Sequence, residues 1–262
     1  MKRNIVLFIF SYLLLALYFY LIPLLIPMSD ILRFFHLLFF FPIAYLIARE
    51  RGGLKSYGLV IFSGWFNNLL TGFFIGFSAF FLLYIIRFFL GNYEFIGVKP
   101  AGESLLILLL IIVGFGLGSL INDMIIRGLV FSYFKDRVSI VSLMIIAILL
   151  YAIDDIWLEG FSINNTLFSI ALGLSFTYAF FTTNSIWANT GIHVGLNVVY
   201  GLFFGVSGKI GDGIFLFSIN ENSHVFITSY LSIIIAFMMF PIVFRLLPRF
   251  TSISPKLENE NL

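Results

Sequence analysis

Cysteine is absent from this 262-residue chain. That excludes a disulfide, a thiolate metal site and a cysteine nucleophile. Charge is scarce as well. Charged residues make up 11% of the chain, against about a quarter in ordinary soluble domains. Such a composition excludes a soluble globular domain, and the high apolar content excludes a disordered chain. A formal net charge of +2 is too small to argue for nucleic acid as a partner. There is no His-Glu-x-x-His motif, no glycine-rich phosphate loop and no Gly-x-Ser-x-Gly elbow. The three histidines, His36, His193 and His224, fall on distant segments and make a poor metal set. No cofactor or metal is expected.

What remains is apolar. Hydrophobic residues account for 61% of the chain, and 35 residues are phenylalanine. A transmembrane helix needs roughly 20 apolar residues. Eight runs qualify: 4–27, 31–48, 69–90, 104 to at least 126, 138–157, 166–182, 186–206 and 225–247. They are too long for barrel strands and do not alternate polar with apolar, so helices carry them. The expected fold is an all-α polytopic membrane bundle of about eight transmembrane helices, in the cell membrane. The first run follows Lys2 and Arg3 but is too long for a signal h-region, and it lacks a clear small-residue cleavage site. It is expected to be a retained span. The fourth run stays apolar through Arg127 to Phe134. A helix that long must tilt or line a polar cavity with its later part.

Basic residues orient the spans. With the N-terminus inside, the inner ends hold Lys2, Arg3, Arg49, Arg51, Lys55, Lys135, Arg137, Arg245, Arg249 and Lys256. The outer ends hold Arg33, Arg87, Lys99 and Lys209. This bias predicts that both termini are cytoplasmic. Residues 1–251 form a single transmembrane domain in this reading, and 252–262 a polar, disordered tail. Residues 49–68 are a connector, with 54–66 expected along the interface.

Ionisable side chains inside apolar helices are costly and mark cavities and function. Asp123 and Arg127 are four residues apart and share a helix face, so they can pair. The bland alternative is a structural ion pair. Asp154 and Asp155 are adjacent, so they point about 100 degrees apart. With Trp157 and Glu159 following, Asp154 is expected to reach interfacial water. Tyr151, one turn before Asp155, is placed to donate a hydrogen bond to it. His193 and Asn197 repeat the four-residue spacing. Their helix also carries Gly191 and Gly195, a pair that permits close backbone approach. Gly114 and Gly118 form a second such pair, and Gly114, Gly116 and Gly118 are the one hint of a helix break. His36 and His224 receive no role.

These residues carry a resemblance. The run Leu120-Ile121-Asn122-Asp123-Met124-Ile125-Ile126-Arg127-Gly128 resembles the Glu-Glu-x-x-x-Arg-Gly motif of the CPBP family, the CAAX-processing and bacteriocin-processing (Abi-type) intramembrane proteases. The run from Leu150 and Tyr151 to Asp155 resembles its second motif, Phe-x-x-x-His. The run from Ser185 through His193 to Asn197 resembles its third, with His-x-x-x-Asn. The resemblance spans about 57–206.

It implies peptide hydrolysis without a covalent intermediate, with a glutamate as general base and His and Asn polarising the scissile carbonyl. Arg127, His193 and Asn197 match. The first glutamate falls on Asn122, and an amide cannot serve as a general base. The second falls on Asp123, and the second-motif histidine on Asp155. Two outcomes follow. In one, Asp123 and Asp155 share a proton and rebuild an acid–base pair, with His193 and Asn197 stabilising the oxyanion. In that reading the site is Asp123, Arg127, Asp155, His193 and Asn197. In the other, hydrolysis is lost and the chain is a pseudoprotease: a membrane scaffold, a partner regulator or a bacteriocin self-immunity protein. The partner in either case is a membrane-associated peptide or a transmembrane protein. Transport ranks third, since no internal repeat is present.

Overall fold

The computed structural model describes residues 2–156, 160–220 and 225–255. Trp157, Glu159, Ser223, His224 and residues 256–262 lie outside the described residues. The N-terminal helix α1 (Lys2–Ala16) passes through a π turn at Leu17–Leu21 into α2 (Ile22–Leu25). Then come α3 (Asp30–Ala48), two 3-10 turns (Arg49–Arg51 and Gly53–Tyr57) and α4 (Trp65–Phe89). After strand β1 (Tyr93–Val98), α5 (Ala101–Asp123) continues through a second π turn (Met124–Gly128) into α6 (Leu129–Phe134). The remainder is α7 (Ile140–Asp154), α8 (Ile163–Thr183), α9 (Trp187–Phe204), β2 (Phe215–Ile219) and α10 (Val225–Phe250).

Among the described residues, each of the eight expected runs coincides with helix over most of its length. Six helical stretches are long and apolar enough to cross a bilayer: Arg3–Leu25, Asp30–Arg51, Trp65–Phe89, Ala101–Phe134, Ile163–Thr183 and Tyr230–Phe250. Ile140–Asp154 is a shorter apolar helix, and Trp187–Phe204 is not among the six because Asn189, His193 and Asn197 make it less apolar. The chain is therefore a multi-pass integral membrane protein with an all-α bundle.

Local chemistry starts and stops these helices. Ser29, Ser139 and Ser162 accept the backbone N–H three residues on, at 3.3, 3.2 and 3.0 Å, capping α3, α7 and α8. Asn184, with φ of 50°, takes the left-handed conformation that ends α8.

The tightest packing joins α4 to α9. A Cβ added at Gly191 would lie 2.2 Å from the Leu69 carbonyl oxygen, and at Gly195 2.2 Å from that of Phe73. Gly72 and Gly76 answer from α4, each placing a Cβ 2.1 Å from a carbonyl of α9. Reciprocal glycine pairs thus bring two parallel backbones together, which fixes the depth and rotation of α9.

Gly114, Gly116 and Gly118 behave differently from the expectation. α5 runs through them unbroken, and no backbone approaches them closely. The departure from α geometry comes instead at Met124–Gly128, where Gly128 lies against Tyr57. Tyr57 is fully buried, so this end of the 54–66 connector is folded into the core rather than laid along the interface.

Two further features were not anticipated. β1 and β2 pair antiparallel, Tyr93 opposite Ile219 and Val98 opposite Phe215, which puts the loops after α4 and α9 on one face. On the opposite face, the first residues after α10 are bonded to the bundle. Asn68 donates to the Ser252 carbonyl and accepts its N–H, both at 2.8 Å, and the Ser254 N–H bonds the Thr183 carbonyl at 2.8 Å.

Candidate functional site

The glycine-locked helix α9 presents Thr190, His193 and Asn197 along one face, at spacings of three and four. Across from them, the end of α5 presents Asn122 and Asp123. Asp123 is fully buried. Its Oδ1 accepts from Arg127 Nη1 at 2.9 Å, and its Oδ2 from the Thr190 hydroxyl at 2.8 Å. His193 Nδ1 stands 3.5 Å from the same Oδ1, too long for a hydrogen bond but close enough for charge to matter.

Arg127 is also fully buried and lies within the π turn that begins just after Asp123. Such turns often occur at functional sites. The guanidinium lies 4.2 Å from the Tyr151 ring and 4.9 Å from the Phe176 ring. These aromatic faces supply attraction that a bilayer interior lacks. Phe176 in turn stacks on His193 at 4.8 Å between centroids. Tyr151 therefore serves Arg127; the hydrogen bond to Asp155 goes instead from Ser169, at 2.5 Å.

Asn122 uses its amide nitrogen twice. It donates to Tyr20 at 2.7 Å and to Asp154 Oδ2 at 2.9 Å. Asp154 also accepts from Tyr12 at 3.0 Å and from Tyr20. Asp154 is thus buried under three neutral donors and does not reach interfacial water, contrary to the expectation from its place in the sequence. Tyr12 and Tyr20, which sequence reasoning passed over, come from α1 and its π turn.

A cavity of about 570 Å³ opens beside these groups. Asn122, Asp155, His193 and Asn197 line it, as do Ser119 and Tyr151. Asn197 donates to Ser119 at 3.1 Å. The far end is lined by Arg87, Asn164 and Asn165, from the helix ends nearest the β pair. Asp123 and Arg127 are not on the cavity wall; they lie sealed behind His193. Four of the six motif positions therefore converge on one space, and the other two support it. Asp123 and Asp155 make no hydrogen bond to each other. Among the described residues no group of histidine and carboxylate side chains has metal-binding geometry.

Residues 103–199 match the family model described as Rce1-like, Type II CAAX prenyl endopeptidase Rce1-like. Over that stretch the chain is similar to this family. The matched stretch runs from the first turn of α5 into α9 and contains Asn122, Asp123, Arg127, Asp155, His193 and Asn197. Neither the curated proteins nor the solved structures yield a match. Two features carry the geometry: the glycine lock between α4 and α9, and the π turn that closes α5.

Proposed function

We propose that this protein captures a membrane-associated peptide or transmembrane segment in the cavity without hydrolysing it. The chain carries the core of an intramembrane endopeptidase-like family. The observation that supports capture without cleavage is Asn122. It occupies the place where the resemblance calls for a general base, lines the cavity, and spends its amide nitrogen on Tyr20 and Asp154. An amide there cannot take a proton from water. Asp123, the neighbouring carboxylate, is sealed from the cavity and occupied by Arg127 and Thr190. In this reading the face bearing Arg49, Arg51, Lys55, Lys135 and Arg249 is cytoplasmic.

A second reading rests on Asp155 and His193. Both line the cavity, so a displaced carboxylate and an imidazole face the same space. That arrangement supports hydrolysis with Asp155 as base and His193 with Asn197 on the carbonyl oxygen.

A peptidase assay on purified protein in detergent separates the two. The substrates are membrane-anchored peptides, offered to wild type, Asn122→Glu and Asp155→Asn. Capture predicts no cleavage by wild type, and cleavage first appearing in Asn122→Glu. Cleavage by wild type that disappears in Asp155→Asn overturns capture and establishes the second reading.

A further inference from the structure

A second cavity shares no lining residue with the first. It measures about 320 Å³ and lies between α1 and the junction of α6 with α7. Ile5, Phe8 and Ile9 form one wall, and Phe134, Val138 and Ile146 the other. Phe8 and Phe134 meet edge to face at 5.0 Å between centroids and join the two walls. The lining is apolar throughout. Arg137, the one charged residue on it, contributes its stem. α1 belongs to a span, Arg3–Leu25, so the groove borders lipid.

The head of Arg137 is held by one edge. With its amide oxygen turned toward the guanidinium, Asn4 accepts from Nε and from Nη2, both at 2.9 Å. The edge between Nη1 and Nη2 is left over. No ion pair joins Arg137 to a carboxylate among the described residues. The segments 3–9 and 134–146 carry Arg3, Lys135 and Arg137 against one carboxylate, Asp136, and all four are exposed.

These features select an occupant in two steps. An apolar groove in a bilayer is filled by an acyl chain, and chain packing alone gives little choice between lipids. The choice comes from the head. A free guanidinium edge matches two oxygens of a phosphate. An excess of basic residues favours a lipid of net negative charge over one whose own ammonium cancels its phosphate.

We infer that the groove between α1 and α7 is a binding site for an anionic phospholipid, with a chain along Ile9 and Val138 and the phosphate on Arg137. The inference does not depend on the capture reading. Tyr12 of α1 already bonds Asp154 of α7, so the lipid adds a second tie between the same two helices.

The test is native mass spectrometry of the full-length protein released from nanodiscs. These hold equal amounts of phosphatidylglycerol and phosphatidylcholine with identical chains. Wild type is expected to retain phosphatidylglycerol over phosphatidylcholine by about fivefold, which is what one basic residue supplies at an anionic surface. In Arg137→Gln the ratio falls to about one. Ile9→Trp fills the groove without changing charge, and retention of the anionic lipid falls there too. Arg3→Gln removes a charge that is not on the groove wall and leaves the preference in place. Equal retention of the two lipids by wild type overturns the inference. So does a preference that survives Arg137→Gln and Ile9→Trp, since it then belongs to general surface charge rather than to this groove.

Discussion

Asp123 and Asp154 are both buried carboxylates in the same bundle, yet they are held in opposite ways. Asp123 is held by a charge: Arg127 on its own helical run, with Thr190 on the other oxygen. Asp154 is held by dipoles, two tyrosine hydroxyls and the Asn122 amide. Their partners also come from different places. Those of Asp123 belong to the run from α5 to α6 and to α9, inside the stretch similar to the Rce1-like model. Two of the three for Asp154 come from α1 and its π turn. One carboxylate therefore fastens the core to itself, and the other fastens the N-terminal helix to the core. The same residue type at similar burial thus holds two different regions, and the contrast predicts that they open separately.

The largest effect follows from breaking the charged case. Arg127→Ala leaves Asp123 buried without its cation, and the aromatic pair Tyr151 and Phe176 without the group they flank. The expected cost is about 3–5 kcal/mol, the range for uncoupling a buried pair. Thermal unfolding in detergent should show a global loss, with little folded protein recovered. The double variant Asp123→Asn with Arg127→Met removes both charges and should recover most of the wild-type stability. If the double variant is as damaged as Arg127→Ala, the pair is not what makes Asp123 tolerable.

The dipole-held case should break more gently and more locally. Asp154→Ala orphans two tyrosine hydroxyls and frees the Asn122 nitrogen, at a cost of about 1–3 kcal/mol. Hydrogen exchange is the decisive readout. Protection should fall across Lys2–Ala16 and the Leu17–Leu21 turn, while α4 and α9, locked by their glycines, keep theirs. A uniform loss across the bundle would show that the two regions are one cooperative unit and dissolve the contrast.

Much of the charged case was legible in the sequence. Four-residue spacing put Asp123 with Arg127, and His193 with Asn197, on single faces, and Gly191 with Gly195 announced the close approach of α9. The same pattern in Gly72 and Gly76 was equally readable, on a helix whose one charged residue, Arg87, lies at its far end. The dipole-held case was not legible. Tyr12 and Tyr20 are more than 130 residues from Asp154 in the chain, and tyrosines in a first span read as ordinary interfacial residues. Asp154 looked like the end of a helix meeting water because only its own helix was visible. The departure from α geometry in the α5 run falls at Met124–Gly128, beside Asp123 and Tyr57, and not at the glycines that hinted at a break. The β pair was hidden because each strand, five or six residues long, gains its register only from the other.

The finest test of the contrast concerns Thr190, the one neutral donor in the charged case. Its hydroxyl bonds Asp123 Oδ2 at 2.8 Å, and it sits three residues before His193 on the same face. Thr190→Val keeps shape and removes the donor. If Arg127 dominates, Asp123 tolerates the loss, and the cost is that of one hydrogen bond to a charged group, about 1.5–3 kcal/mol at most. It should fall below the cost of Arg127→Ala. The carboxylate, held on one oxygen only, can then turn toward His193 Nδ1, which already stands 3.5 Å from Oδ1 and has no hydrogen-bond partner. A change in the His193 imidazole resonance without global unfolding would report that shift. An unchanged resonance with an effect as large as that of Arg127→Ala would mean that the hydroxyl, rather than the guanidinium, sets how Asp123 is held, and that the two carboxylates are less different than their partners suggest.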